Sequence, residues 1–183
     1  MKKGIMLIAN GFEEMEMINI VDVLRRGGVE LLMVSTQEKM MQGAHGVKIE
    51  ADKLLSEVKA GDYDFVVLPG GYDNSVSLSQ NNAVLDILRD FKAKNKLTAA
   101  ICAAPAALAA AGIIESKYTC YPGCEGMIES HIPAAKSDGS VVCVEGTVHT
   151  SKGPATAMTF GLHLLGVLEG MDAAQKVKEG LLA

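Results

Sequence analysis

The chain of 183 residues and 19.3 kDa is long enough to bury one large hydrophobic core without a metal or a disulfide, so a single domain over residues 1–183 is predicted. Its net charge is −5, and lysine and arginine are scattered along the chain, with adjacent pairs only at Lys2–Lys3 and Arg25–Arg26. This pattern lacks the basic stripe that nucleic acids and anionic membrane surfaces bind, so neither is expected as a partner.

The N-terminal residues indicate a protein that stays in the cytoplasm. The apolar run after the two initial lysines stops after five residues and turns acidic, which does not make a signal peptide. Residues 97–114 form the longest apolar stretch, but they are rich in alanine and interrupted by a proline, unlike a membrane span. The four cysteines are therefore interpreted as reduced thiols and not as a disulfide framework.

Short runs of strand-forming residues alternate with helical patterns along the chain. Strands are predicted at residues 5–9, 30–35, 64–68, 98–101, 118–121 and 141–145, and also at a hairpin-like pair around KMMQ and VKIE. Helices are predicted at residues 14–26 and 82–94, after Cys102, and in the C-terminal segments TFGLHLLGVLEG and AAQKVKEGLL. This alternation predicts an α/β fold, a three-layer sandwich with a mostly parallel, flavodoxin-like sheet.

Cys102 is the first candidate site residue, because it follows an apolar strand and precedes the small residues Ala103 and Ala104. A sharp strand-to-helix turn that exposes a nucleophile needs small residues at this point. Pro105 then falls in the first helical turn, where its missing N–H costs nothing. Cys102 at a helix N-terminus is expected to favour the thiolate. The alternative, a small apolar cysteine packed in the core, stays open on the pattern alone.

Glu16 is the second candidate, since it shares one row of the first predicted helix with the apolar residues Ile20 and Leu24. A carboxyl group on that row is partly desolvated, which raises its pKa and suits it to proton transfer. Glu13 and Glu14 are interpreted as acidic residues that complement the helix dipole.

Further candidates lie at the ends of other predicted strands. The glycines Gly70 and Gly71 make a tight turn, and the N–H of Gly71, paired with that of Ala103, is placed to stabilise an oxyanion. Ser151 either contacts a ligand or belongs to the start of a helix. Cys120 and Cys124, with one histidine nearby, make a poor zinc set, and no metal is expected.

Four segments in order along nearly the whole chain resemble the ThiJ/PfpI superfamily, and within it the DJ-1 branch. They are IANGFEEMEMINIVDVLRRGGVEL, YDFVVLPGG, AAICAAPAAL and TSKGPATAM. The resemblance implies a flavodoxin-like sandwich, a homodimer and a nucleophile-elbow cysteine beside a protonated glutamate. Carried onto this sequence, it makes Cys102 the nucleophile, Glu16 the glutamate, and Gly71 and Ala103 the donors of the oxyanion hole.

The sequence departs from the superfamily pattern at two informative places. Many members have a histidine near the cysteine, immediately before a proline, and here Tyr121 stands in that place. Tyrosine, with a reference pKa of about 10, is a weak base at neutral pH. The protease-like branch has a histidine directly after the cysteine, where this chain has Ala103, so no peptidase activity is predicted.

The resemblance implies two classes of activity, neither of which needs a cofactor. In the first, Cys102 and Glu16 transform small reactive aldehydes such as methylglyoxal, or release glycation adducts from amines and thiols. In the second, peroxide oxidises Cys102 to a sulfinate that protonated Glu16 stabilises, and the output is a stress response or chaperone activity. Cys120 and Cys124 beside Tyr121 are then hypothetical resolving thiols. The replacement of the histidine by Tyr121 slightly favours the sensor.

Overall fold

A central sheet, a small hairpin and seven helices make up the computed structural model, which describes all 183 residues. The strands are β1 (Lys3–Ile8), β2 (Glu30–Ser35), β3 (Met40–Gln42), β4 (Lys48–Glu50), β5 (Lys53–Leu54), β6 (Phe65–Leu68), β7 (Leu97–Ile101), β8 (Lys117–Tyr118), β9 (Lys136–Ser137), β10 (Val142–Glu145) and β11 (Val148–Ser151). The helices are α1 (Glu14–Arg26), α2 (Tyr72–Gln80), α3 (Asn82–Ala93), α4 (Pro105–Ala110), α5 (Glu125–Glu129), α6 (Ala157–Glu169) and α7 (Met171–Leu181).

The central sheet has seven strands in the order β10-β11-β7-β6-β1-β2-β5. All neighbouring pairs are parallel except β10 and β11, which are antiparallel. In the middle of the sheet, β1, β6 and β7 are buried on both faces and are nearly continuous apolar runs, as parallel strands covered by helices must be. The predicted α/β class with a mostly parallel sheet is confirmed.

Helices cover both faces of the sheet. One core, under α2 to α5, contains 26 buried residues, and the other, under α1, α6 and α7, contains 24, so the two helical layers bury similar shares of the sheet. The carboxyl ends of β1, β6, β7 and β11 lie side by side in this order of strands. The loops that follow these ends form one edge of the molecule, where parallel α/β folds bind ligands.

Several predicted elements agree with the structure, and two do not. The bounds predicted for α1 and β2 are confirmed, and so is the hairpin of β3 and β4. The strand predicted at 118–121 is wrong in extent: only Lys117–Tyr118 is a strand, and it pairs with β9 outside the central sheet. Helix α2 was not predicted, because most of its residues are polar and show no apolar period. No helix has the length and apolar character needed to cross a bilayer.

Candidate active site

Cys102 lies at the turn between β7 and α4. Its φ of 67° is in the left-handed region, which costs a residue with a side chain about 1 kcal/mol or more. Its N–H donates to the carbonyl oxygen of Ser151 at 3.0 Å, which ties the turn to the end of β11. Pro105 is the first residue of α4, as its fixed φ favours. The nucleophile elbow predicted from the small residues around Cys102 is therefore present in the backbone.

Glu16 projects from α1 and is fully buried. Ile20 and Leu24, one and two turns further along α1, are also fully buried, so the predicted row faces the core. Glu13 fixes the start of α1 as its N-cap, because its Oε2 accepts the N–H of Glu16 at 2.7 Å. The backbone that carries the Glu16 carboxyl is thus held by its own helix cap.

Gly70 packs against both the thiol of Cys102 and the carboxyl group of Glu16. Its N–H donates to Glu16 Oε2 at 2.7 Å. A Cβ at this position would lie 2.5 Å from Glu16 Oε2 and 2.9 Å from Cys102 Sγ, so a side chain has no room here. The two reactive groups therefore lie side by side, within hydrogen-bonding reach of each other, and both crowd a residue that must be glycine. The other carboxylate oxygen, Oε1, is buried without a hydrogen-bond partner.

The protonation of Glu16 and Cys102 is set mainly by burial. Burial raises the pKa of Glu16 to about 7, against the lowering effect of the Gly70 amide and the Cys102 thiol. Burial also raises the pKa of Cys102, as does the charge of an ionised Glu16, whereas the amides of Gly71 and Ala103 lower it. The start of α4 is expected to favour the thiolate, and the Ala103 amide at this turn does lower the pKa of Cys102, but burial of the sulfur raises it by more. The two groups therefore titrate as a coupled pair.

The amides of Gly71 and Ala103 act on the Cys102 sulfur, where both lower its pKa as hydrogen-bond donors. They are the two donors predicted for an oxyanion hole. Gly71 has a φ of 92°, and a Cβ there would lie 2.1 Å from the carbonyl oxygen of Gly11. Glycine is required at this position by both the conformation and the close approach of a second chain segment.

Tyr121 lies beside the elbow, since its N–H donates to the carbonyl oxygen of Cys102 at 3.0 Å. Its side chain is about half exposed, at 49 %. The ring packs on Gly153: a Cβ built on that glycine would lie 3.0 Å from Tyr121 Cδ2 and 3.9 Å from Glu16 Oε1. Tyr121 therefore lines the outer side of the site, next to the unpartnered oxygen of Glu16.

Ser151 lines the site through its backbone only. Its carbonyl oxygen accepts the N–H of Cys102, while its hydroxyl donates to the carbonyl oxygen of Val141 at 2.7 Å and lies 2.8 Å from Thr156 Oγ1. The side chain is fully buried. Of the two interpretations of Ser151, the structure favours the one in which its hydroxyl organises the chain entering α6.

Of the remaining thiols, Cys124 has its pKa raised by burial, and it is near enough to Glu16 for an ionised carboxylate there to raise that pKa as well. Cys120 and Cys143 are buried, and Cys124 is half-buried at the start of α5. His163 Nε2 lies 3.0 Å from His149 Nδ1 between α6 and β11, and burial lowers the pKa of His149 to about 4.

Glu13, Glu14 and His45 have potential ligand atoms within 4.8 Å of one another. The Glu13 cap and a 2.8 Å hydrogen bond between His45 Nδ1 and Glu14 Oε2 account for this group.

Two residues of the site were not found from the sequence. Gly153 carries no signal in the sequence, because no periodic pattern marks a glycine on which a distant aromatic ring packs. Glu13 is interpreted from the sequence as an acidic residue that complements the helix dipole, and because glutamate is not among the usual N-cap residues, its role as the N-cap is seen only in the structure.

Comparisons with known proteins agree over nearly the whole chain. The profile of the DJ-1/PfpI family matches residues 2–166. Protein dj-1beta of Drosophila melanogaster is 35% identical over 99% of this chain and 97% of its own length. The Parkinson disease protein 7 homolog of Danio rerio is 36% identical over 99% of this chain and 97% of its own.

Solved structures give the same result. The crystal structure of Drosophila melanogaster DJ-1beta superposes with a TM-score of 0.93 over 100% of this chain and 98% of that one, at 35% identity. Toxoplasma gondii DJ-1, described as oxidized, superposes with a TM-score of 0.91 over the same shares, at 34% identity. The likeness extends to every element that positions Cys102 and Glu16.

Proposed function

Because the chain belongs to the DJ-1/PfpI family, we propose that it is a cytoplasmic stress protein that transforms reactive carbonyl compounds with Cys102 and Glu16 and without a cofactor. The observation that carries this proposal is the pairing of a buried carboxyl group with a thiol beside Gly70, whose N–H donates to the carboxyl group. Two backbone amides directed at the sulfur supply the third element that such chemistry needs.

In the reactive form of this pair, the proton resides on Glu16 and the negative charge on Cys102. Two amides, those of Gly71 and Ala103, stabilise charge on the sulfur, whereas the carboxyl group has one amide donor and one buried oxygen without a partner. An ionised Glu16 carboxylate leaves the buried acceptor Oε1 without a hydrogen bond, which costs free energy. A neutral Glu16 also removes the charge that opposes ionisation of Cys102.

The proposed reaction converts a 2-oxoaldehyde and water into a 2-hydroxy acid. The Cys102 thiolate adds to the aldehyde carbon, and Glu16 gives its proton to the resulting oxyanion, which forms beside the amides of Gly71 and Ala103. The Glu16 carboxylate then removes the C–H proton of that carbon, which leaves an enediolate with its charge on the neighbouring oxygen. That oxygen takes up the hydroxyl proton of the first carbon, and Glu16 returns its proton to the neighbouring carbon, which gives the thioester of the 2-hydroxy acid on Cys102. Water hydrolyses the thioester, which releases the acid and regenerates the thiol.

The test is lactate formation from methylglyoxal by the purified protein and by Cys102→Ser and Glu16→Gln variants. We expect both variants to lose at least about a hundredfold in kcat/KM, the usual effect of removing a nucleophile or a general acid-base group. Cys143→Ser, a buried cysteine outside the site, is the matched control and should keep the activity. Turnover by the unaltered protein that does not exceed the Cys102→Ser background rules out this function.

The second candidate function is a redox sensor. One of the similar solved structures, that of Toxoplasma gondii DJ-1, is of an oxidized protein, which favours considering this function. Peroxide accepts the electron pair of the Cys102 thiolate to give a sulfenic acid and hydroxide. A second peroxide gives the sulfinate and water. Protonated Glu16 donates a hydrogen bond to one sulfinate oxygen, and the output is a stress response or chaperone activity.

Mass spectrometry after mild peroxide treatment tests the sensor. We expect Cys102 to gain two oxygen atoms before Cys120, Cys124 or Cys143 gains any, because two amides donate to its sulfur and a neutral Glu16 removes the charge that opposes its ionisation. Sulfinate on Cys102 without a disulfide to Cys120 or Cys124 excludes a resolving role for those two thiols. Oxidation that begins elsewhere contradicts the sensor.

A further inference from the structure

The space around the Cys102 sulfur is closed on most sides. Cys102 is 9 % exposed and Glu16 is fully buried. The backbone of Gly70 packs against both side chains so tightly that a Cβ there would lie 2.4 Å from Cys102 Cβ. Tyr121, whose N–H donates to the carbonyl oxygen of Cys102 and whose side chain is half exposed, is the aromatic residue beside this narrow opening.

The Tyr121 backbone is anchored to the elbow and to the turn that follows it. Its N–H donates to the carbonyl oxygen of Cys102 at 3.0 Å, and its own carbonyl oxygen accepts the N–H of Cys124 at 3.0 Å. Pro122 follows directly and restricts the backbone of Tyr121 to extended conformations. The ring is thus held at a fixed place beside the nucleophile.

The ring rests on a rigid support. The carbonyl oxygen of Gly153 accepts from the N–H and the hydroxyl of Thr156 at 2.8 and 2.9 Å, and Ser151 Oγ lies 2.8 Å from that hydroxyl. Because Gly153 has no side chain, the Tyr121 ring packs against its backbone and over the side on which Glu16 Oε1 has no partner. The unpartnered oxygen Oε1 of Glu16 and the Tyr121 ring therefore lie on the same side of Gly153.

We propose that the Tyr121 ring is a size filter: it admits small free dicarbonyl compounds such as glyoxal and methylglyoxal and keeps out carbonyl compounds with bulky substituents, including adducts attached to proteins or nucleotides. This inference rests on the proposed carbonyl chemistry and narrows its substrate class. The hydroxyl group of Tyr121 takes no part in the filter, because the contact with Gly153 is made by ring carbons.

The kinetic test compares methylglyoxal with phenylglyoxal in the unaltered protein, Tyr121→Ala and Tyr121→Phe. We expect the unaltered protein to prefer methylglyoxal by at least about tenfold in kcat/KM, a typical penalty for a group that a pocket does not fit. Tyr121→Ala should reduce this preference at least severalfold by raising kcat/KM for phenylglyoxal, and Tyr121→Phe should keep it. Equal use of both aldehydes by the unaltered protein, or a preference unchanged in Tyr121→Ala, overturns the filter.

A second measurement separates failure of the filter from failure of the proposed function. Rates of Cys102 alkylation by iodoacetamide and by the bulkier iodoacetanilide are measured in the same three proteins, and they need no turnover. We expect a preference for iodoacetamide that Tyr121→Ala removes and Tyr121→Phe retains. Absence of lactate formation with this preference intact refutes the carbonyl chemistry alone, and equal alkylation rates in all three proteins refute the filter alone.

Discussion

At the scale of single residues, Glu16 combines complete burial with an acceptor oxygen that nothing satisfies. Its pKa, raised to about 7 from the ordinary 4.5, means that the folded protein holds this proton more tightly than the unfolded chain. The resulting stabilisation is fully present below pH 4.5 and is lost as the pH rises through about 7. The protonated form is thus favoured by folding itself.

Glu16→Gln should remove this pH dependence. Relative to the variant, the unaltered protein is expected to lose up to about 3 kcal/mol of unfolding free energy as the pH rises from 4.5 to 7. Urea denaturation across that range measures the difference, and Glu50→Gln, on the exposed side of β4, should behave like the unaltered protein. A constant difference between the protein and Glu16→Gln would mean that Glu16 is ionised throughout.

Gly70→Ala tests the close approach of the thiol and the carboxyl group. The added Cβ meets Cys102 and Glu16 well inside contact distance, so we expect a loss of about 1–3 kcal/mol in unfolding free energy and of methylglyoxal turnover. The matched control is Gly180→Ala on α7, which meets nothing within 4 Å and should be neutral or stabilising by up to about 1 kcal/mol. Unchanged stability and turnover in Gly70→Ala would contradict the geometry.

The sequence predicts those residues of the site that carry a local pattern, and it misses the others. Cys102 and Glu16 interrupt apolar patterns, and Gly70 and Gly71 interrupt a strand end, so their positions follow from local rules and from the family motifs. Gly153 carries no such signal, since its role depends on a ring that is remote in sequence. The protonation of Cys102 also needs coordinates, because burial and the charge of Glu16 oppose the helix-terminus argument.

At the scale of elements, the sequence predicts helix α1 but not helix α2. The bounds of α1 follow from its acidic cap, its buried apolar row and the glycine at its end. Helix α2 has no comparable row, because its buried residues include the polar Asn74 and Ser75. What holds α2 to the sheet is hydrogen bonding to the loops at the strand ends, which the sequence does not display.

Asn74 is the main polar contact of α2 with these loops. It is fully buried, its Oδ1 accepts the N–H of Ala9 at 2.7 Å, and its Nδ2 donates to the carbonyl oxygens of Pro69 and Gly70 at 2.8 and 3.1 Å. Asn74→Ala leaves a buried N–H unpaired, so we expect a loss of about 3 kcal/mol in unfolding free energy, measured by urea denaturation.

Because Asn74 holds Gly70, and Gly70 holds the Glu16 carboxyl, Asn74→Ala should also reduce methylglyoxal turnover. The control is Ser79→Ala on the same helix, whose hydroxyl bonds only within its own turn and whose loss should cost about 0.5 kcal/mol or less. If Asn74→Ala is no less stable than Ser79→Ala, α2 is held by other contacts.

At the scale of the whole molecule, the class of fold follows from the alternation of apolar strands and helices, but the order of strands does not. Strand β1 lies between β2 and β6, and β11 joins β7 across a crossover, which are choices among several that the same alternation permits. The antiparallel pairing of β10 with β11 and the separate pair of β8 and β9 are equally invisible to local patterns.

We propose that two copies associate through α1, in line with the homodimer that the sequence motifs imply. Met15 and Ile18 lie on one face of α1 and are 56 % and 48 % exposed, which leaves apolar surface uncovered. Sedimentation should give twice the mass of 19.3 kDa, and Met15→Glu with Ile18→Glu should halve it. The control is Val141→Glu, an exposed valine outside α1, which should leave the mass unchanged. A protein that sediments as a monomer contradicts the proposal.

The left-handed backbone of Cys102 has a consequence for the history of the sequence. Glycine or asparagine adopts this conformation more easily than cysteine, so the fold by itself favours a different residue at this position. Selection for chemistry must therefore act continuously against the fold's own preference. In relatives that no longer need the thiol, we expect glycine or asparagine to replace this cysteine before other residues of the site change. Such a replacement should increase the stability of the fold.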